Sequence, residues 1–107
     1  PGGSAGARYN QYPPLANPCR PNGEWNTYDI LFRAPRVDTE GNITEKPRGT
    51  VIFNGVVVQY DAELNGPTGA AMLKGNADSG PLFLQDHGDP IRFANVWIRK
   101  LKSQKPL

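Results

Sequence analysis

Apolar and polar residues alternate most regularly toward the end of the chain. From Ile91 to Leu101, the residues Ile91, Phe93, Asn95, Trp97, Arg99 and Leu101 fall on one side of an extended backbone, and Arg92, Ala94, Val96, Ile98 and Lys100 on the other. Period-two alternation rich in aromatic and β-branched residues predicts a strand. A shorter apolar run, Pro81–Leu84, precedes it, and the loop Gln85-Asp86-His87-Gly88-Asp89-Pro90 separates the two. Gly88 loosens the backbone and Pro90 cannot donate to a ladder, so the turn falls between the runs.

The same reading places a second strand within Gly23–Ala34, with Tyr28, Ile30 and Phe32 on one face, Asp29, Leu31 and Arg33 on the other, and Pro35 ending it. Arg48 to Tyr60 reads as a hairpin, because Asn54-Gly55 supplies the two left-handed residues of a type I′ turn between β-branched runs. Asn54 is therefore expected to be a turn residue, not a ligand. Between these strands, Arg36–Pro47 reads as a connecting loop or irregular hairpin. Four prolines from Pro13 to Pro21 keep Asn10–Asn22 extended or irregular, with Tyr9, Tyr12 and Leu15 as anchors or ligand contacts. The glycine-rich Asp61–Ser79 is expected to be a surface loop forming a binding rim, with at most one helical turn at Ala70–Lys74. Residues 1–8 read as a flexible N-terminus and 103–107 as a tail. Trp97, which alternates with Phe93, is a core candidate. About five to seven strands with no substantial helix predict an all-β antiparallel sandwich over residues 1–107, as a single domain.

Composition narrows the function without naming it. With 12 Gly and 11 Pro in 107 residues, the chain suits short strands and many turns. Its net charge of +2 comes from 12 basic and 10 acidic residues spread along the sequence, which gives no clustered basic face for a nucleic acid. No apolar run approaches the roughly 18 residues that would span a membrane. The single Cys19 excludes an internal disulfide, and one Cys with one His cannot make a Cys/His zinc site. The sequence opens without Met or a signal-peptide pattern, so the chain reads as trimmed or processed, with its compartment not legible from composition.

His87, the only histidine, carries the sharpest chemistry. It titrates near neutrality, so it suits a general acid, a general base or a metal ligand, and Asp86, Asp89 and Gln85 lie beside it. A solvent-exposed structural role remains open on these residues alone. Glu24, Trp25 and Asp29 make up the acid-plus-aromatic equipment of sugar sites, although a tryptophan at the head of a strand also suits a core. There is no phosphate-binding glycine loop before a helix and no nucleophile elbow.

Several stretches taken in order carry a resemblance. G-E-W-N-T-Y-D-I-L-F-R-A-P-R, F-N-G-V-V-V-Q, E-L-N-G-P-T-G and G-P-L-F-L-Q-D-H-G-D-P-I-R-F-A-N-V-W-I-R-K-L together resemble the 3-keto-disaccharide hydrolase domain family, from about Gly6 to Leu101. The resemblance implies a concanavalin A-like (lectin/glucanase) sandwich, a relative of the jelly roll. It also implies action on a glycoside oxidised at C3. His87 and Asp86 are then the expected catalytic pair, and Gln85, Trp25, Glu24, Tyr12 and Arg92 the expected substrate contacts. A divalent metal and a bacterial periplasmic or extracellular location are further implications. The chain corresponds to the C-terminal part of the family domain. Strands expected before Tyr9 are lacking, and the exposed edges this leaves predict a homo-oligomer. Two other roles fit the same residues: a carbohydrate-binding, lectin-like module, and a truncated self-associating scaffold without activity.

Overall fold

A computed structural model describes residues 13–65, 82–84 and 88–103. Five strands run through it: β1 (Tyr28–Arg33), β2 (Arg36–Val37), β3 (Ile43–Glu45), β4 (Arg48–Phe53) and β5 (Val56–Glu63). They form a three-stranded sheet in the order β1-β4-β5 and a two-stranded ribbon β2-β3. All the pairings are antiparallel. No helix occurs among the described residues.

The β4–β5 hairpin is made by its turn. Asn54 and Gly55 have φ of 50° and 78°, the left-handed pair that matches the twist of the flanking strands. Its side chain does more than the sequence implied. Asn54 Oδ1 accepts from the Thr27 N–H at 2.9 Å, and the Asn54 N–H donates to the Thr27 carbonyl at 2.9 Å. Asn54 Nδ2 donates to the Pro18 carbonyl and to Asn26 Oδ1, both at 2.8 Å. The turn thus fixes the entry to β1 and the end of the proline-rich arm together. From there β1 pairs with β4 in unbroken register, Tyr28 opposite Phe53 through Arg33 opposite Arg48.

Strand β5 is longer than expected, running to Glu63 where the sequence ended it at Tyr60. It also carries two extra residues. Its register with β4 steps from Gly49↔Ala62 to Val51↔Gln59 and then to Ile52↔Val57. Each step spends one residue more on β5 than on β4, the signature of a β-bulge. A bulge resets which face the following residues point to. Burial along β5 accordingly comes in doublets: Val56 and Val57 exposed, Val58 and Gln59 buried, Tyr60 and Asp61 exposed. The Val58 carbonyl accepts from the Leu15 N–H at 2.9 Å, and Gln59 Nε2 donates to the Pro13 carbonyl at 3.2 Å. The arm therefore covers this edge, one of the ways in which sheets avoid stray pairing.

The segment between β1 and β4 resolves to the irregular hairpin. Its loop closes by a Gly41 N–H bond to the Asp38 carbonyl at 3.1 Å, with Gly41 at φ 85°. Asp38 Oδ1 accepts from the Glu40 and Asn42 N–H groups, each at 2.9 Å. The Asn42 bond, first among these, holds the Asp38 carboxyl below its ordinary value.

Among the described residues Phe53 and Val58 are the fully buried side chains, 1% and 0% exposed. Tyr28 packs edge-on against Phe53 with ring centroids 4.4 Å apart. Three expectations are overturned here. Residues 91–101 are not in a strand: Asn95 takes φ 55°, which breaks the alternation, and the segment pairs with no described strand. Trp97 is correspondingly not core but 73% exposed. Likewise 82–84 form no strand. The expectations for residues 1–8, for Tyr9 and for most of the glycine-rich loop, including Ala70–Lys74, concern positions outside the described residues.

Two outcomes follow. Asn54→Ala deletes three side-chain hydrogen bonds and puts a Cβ-branchless but non-glycine residue in the left-handed region, so it should destabilise by about 2–4 kcal/mol. Asn54→Gly loses the same bonds without the backbone strain and should be milder by about 1 kcal/mol. Urea unfolding of the pair checks both; equal losses would deny the turn conformation. For Asp38, a depressed folded pKa means that its contribution is present above the unfolded value and is lost as pH falls through the folded one. The Asn42 amide chemical shift should therefore titrate with a midpoint below the ordinary aspartate value, and should lose that titration in Asp38→Asn.

Candidate functional site

The loop before β1 presents the acid-plus-aromatic pair. Glu24 N–H donates to the Pro21 carbonyl at 3.2 Å, and Gly23 at φ 89° lets the chain turn there. Arg20 clamps the next step: its N–H donates to Asn26 Oδ1 and its Nη1 to the Trp25 carbonyl, both at 3.0 Å. Asn26 Oδ1 is the same atom that Asn54 Nδ2 reaches. These bonds hold the loop while Trp25 stands 59% exposed, with Glu24 exposed beside it. Of the two readings of Trp25, core and platform, the structure gives the exposed one. An indole face backed by a rigid loop can stack on the C–H face of a sugar ring, and an exposed carboxylate can accept from its hydroxyls.

Tyr28 follows at the start of β1. Partial burial pushes its phenol up, and the electrostatic influence of nearby Cys19 adds to that. Cys19 itself is exposed.

Arg92 is exposed, and among the described residues no hydrogen bond or ion pair joins it to Glu24 or Trp25. Gly88 has φ 91°, as a loop glycine at that point requires, and Asp89 beyond it is exposed. Tyr12, Gln85, Asp86 and His87 lie outside the described residues, so the structure neither gathers nor separates the expected catalytic pair.

The sequence missed a second constellation, on the face of the main sheet that bears Leu31, Arg33, Arg48 and Thr50. Asp61 sits in the β5 bulge at φ 43°. Its N–H donates to Thr50 Oγ1 at 2.9 Å. Arg48 Nε donates to Asp61 Oδ1 at 2.9 Å, and Arg48 Nη2 to the Asp61 carbonyl at 2.6 Å. Arg48 also reaches Glu63 at 3.3 Å, and Lys46 pairs with Glu63 at 3.4 Å. Nearby, Glu45 pairs with Arg33 and, at 3.5 Å, with Arg36. These side chains are substantially exposed, so each pair contributes at most about 1 kcal/mol. A depression of ≈ 180 Å³ opens between Leu31, Arg33, Arg48, Thr50, Asp61 and Leu101. A bulge leaves no mark on hydrophobic alternation, so the sequence alone shows Asp61 only as the start of a loop.

Among the described residues no group of three His, Cys, Asp or Glu side chains is placed to hold a metal ion. No helix among them is long and apolar enough to cross a membrane.

Comparison with known proteins adds the family. The chain is similar to a solved structure from Parabacteroides distasonis ATCC 8503, described as a "putative glycosyl hydrolase". The two are 40% identical with a TM-score of 0.61, over 73% of this chain and 33% of that one. The chain thus spans about a third of the length of that protein. Nothing among curated proteins matches. The fold class is the all-β antiparallel sandwich expected, of which the described residues supply one three-stranded sheet and one ribbon. The profile of the 3-keto-alpha-glucoside-1,2-lyase-like domain matches residues 1–99, and the chain belongs to that family of carbohydrate-active, glycosidase-like domains.

Proposed function

We propose that this chain carries part of a site that cleaves glycosides bearing a ketone at C3 of the sugar ring. The observation that carries the reading is the family match over residues 1–99, which runs through L-Q-D-H-G. A C3 ketone acidifies the proton on C2. A base removes that proton, and the electron pair is held as the enolate. The pair then forms the C1–C2 double bond as the C1–O bond breaks, and the leaving oxygen takes a proton. Water can add afterwards across the double bond at C1. In this proposal His87 is the base and Asp86 fixes its tautomer. Trp25 stacks on the ring, while Gln85, Glu24, Tyr12 and Arg92 contact its hydroxyls and carbonyl.

One observation favours a second reading, a carbohydrate-binding module without turnover: Trp25 is exposed on a loop clamped by Arg20, as binding platforms are. His87→Ala separates the two. The lyase reading expects turnover of a 3-keto-α-glucoside to fall by about a hundredfold or more. Saccharide affinity should stay within a few-fold. A wild type that binds sugar and turns nothing over would leave the module reading in possession.

Self-association is proposed alongside either role. Ile30 and Phe32 on β1, and Phe93, Trp97 and Ile98 beyond it, are large apolar side chains more than half exposed. Static light scattering at micromolar concentration should give a dimer or larger species, and acrylamide should quench the Trp97 emission less in that species than in a diluted sample. A stable monomer with both tryptophans freely quenched would refute it.

A further inference from the structure

We propose that the depression beside the Asp61 bulge is a saccharide subsite, separate from the Gln85–His87 loop in sequence and built on the main sheet. The proposal rests on the reading that the chain handles glycosides, and adds where a ring is held and by which groups.

Three features argue for it. The first is backbone geometry: Asp61 is a non-glycine residue at φ 43°, and bulges re-aim side chains that regular strands would point elsewhere. The second is support. Arg48 holds both the carboxylate and the carbonyl of Asp61, and Thr50 Oγ1 accepts its N–H, so the acid is fixed from three sides. A polar group locked by neighbours on strands is preorganised, and a ligand then pays little to order it. The third is chemistry. Only Oδ1 of the Asp61 carboxylate is engaged by Arg48, which leaves Oδ2 to accept from a sugar hydroxyl. The Thr50 hydroxyl accepts from Asp61 and keeps its own hydrogen to donate. Arg33 lines the same hollow with a half-exposed guanidinium whose Nη2 is held by Glu45. Leu31 and Leu101 supply apolar walls for the C–H face of a ring. An acceptor, donors and aliphatic surface around ≈ 180 Å³ suit one pyranose ring with adjacent hydroxyl or keto oxygens. Arg48 is a positioning residue here, since it bonds the Asp61 carboxylate and carbonyl and the Glu63 carboxylate.

Asp61→Gly is the decisive variant. Glycine accepts the left-handed backbone without strain, so the bulge survives while the carboxylate is lost. Asp61→Asn, which tolerates the same conformation, is a second variant that removes only the charge. Methyl α-D-glucopyranoside and its 3-keto analogue serve as probes, with amide chemical shifts, calorimetry and melting temperature as readouts. The expected result is ligand-induced shifts at Arg33, Thr50 and Asp61, and binding about tenfold or more weaker in Asp61→Gly at an unchanged or higher melting temperature. Asp61→Asn should weaken binding less. Shifts confined to residues 20–27, or wild-type affinity in Asp61→Gly, would overturn the subsite. Binding at Asp61 without turnover by the wild type would uphold the subsite while sinking the cleavage reading. Turnover with an unchanged KM in Asp61→Gly would do the reverse. Failure of both probes to bind would overturn both.

Discussion

The carboxamide of Asn54 is where three otherwise separate pieces of chain meet. Its oxygen takes the Thr27 N–H, and its nitrogen serves the Pro18 carbonyl and the Asn26 side chain. These partners lie 27 to 36 residues away in sequence. A side chain that satisfies both its acceptor and its donors across such separations converts a local turn into a tertiary constraint. The turn holds Asn54 at φ 50°, and from there its carboxamide reaches all three partners. The position of the exposed Trp25 and Glu24 depends on it, since Asn26 and Thr27 are the residues that it grips next to them.

The second constraint is the pair of bulges in β5. They bend the strand and place Val58 and Gln59 together in the interior. The Val58 carbonyl then takes the Leu15 amide, and the Gln59 carboxamide the Pro13 carbonyl. Proline lacks an N–H, so an arm rich in it pairs with an edge only intermittently. One amide at Leu15 and one carbonyl at Pro13 meet that limit. The other bulge puts Asp61 where Arg48 and Thr50 can hold it. One strand therefore docks the arm at one bulge and builds a polar hollow at the other.

Much of this sheet was legible in the sequence, and for identifiable reasons. Asn54-Gly55 states its own conformation, and Tyr28–Arg33 alternates with the faces later observed opposite Phe53, Val51 and Gly49. Local chemistry fixed those elements. The Ile91–Leu101 run shows the opposite case. Its alternation is at least as regular, yet Asn95 turns left-handed and no described strand pairs with it. Alternation reports that a segment could lie on a pleated surface; whether a partner strand lies beside it is a non-local fact. The same limit hid the β5 bulges, and with them Asp61. Of the candidate site, Trp25 and Glu24 were legible as an exposed acid–aromatic pair because side-chain type alone suggested it. What fixes them, the Asn26–Asn54–Pro18 contacts, was not, since hydrogen bonds across that separation leave no local pattern.

Burial then connects assembly with function. Phe53 and Val58 are closed off from water, whereas β1 shows large apolar side chains on both its faces: Tyr28, Ile30 and Phe32 on one and Leu31 on the other. Among the described residues β1 is an edge strand, and an edge beside apolar surface favours a cover. The polar hollow lies on the Leu31 side of that same strand, and Leu101 of the exposed C-terminal run forms one of its walls. Whatever packs on the outer edge of β1 therefore borders the hollow and can complete its wall. If copies of the chain supply that cover, ligand affinity and self-association become linked quantities. A sugar that touches residues from the covered state binds it more tightly and so shifts the equilibrium toward it, by as much as its affinity differs between the two states.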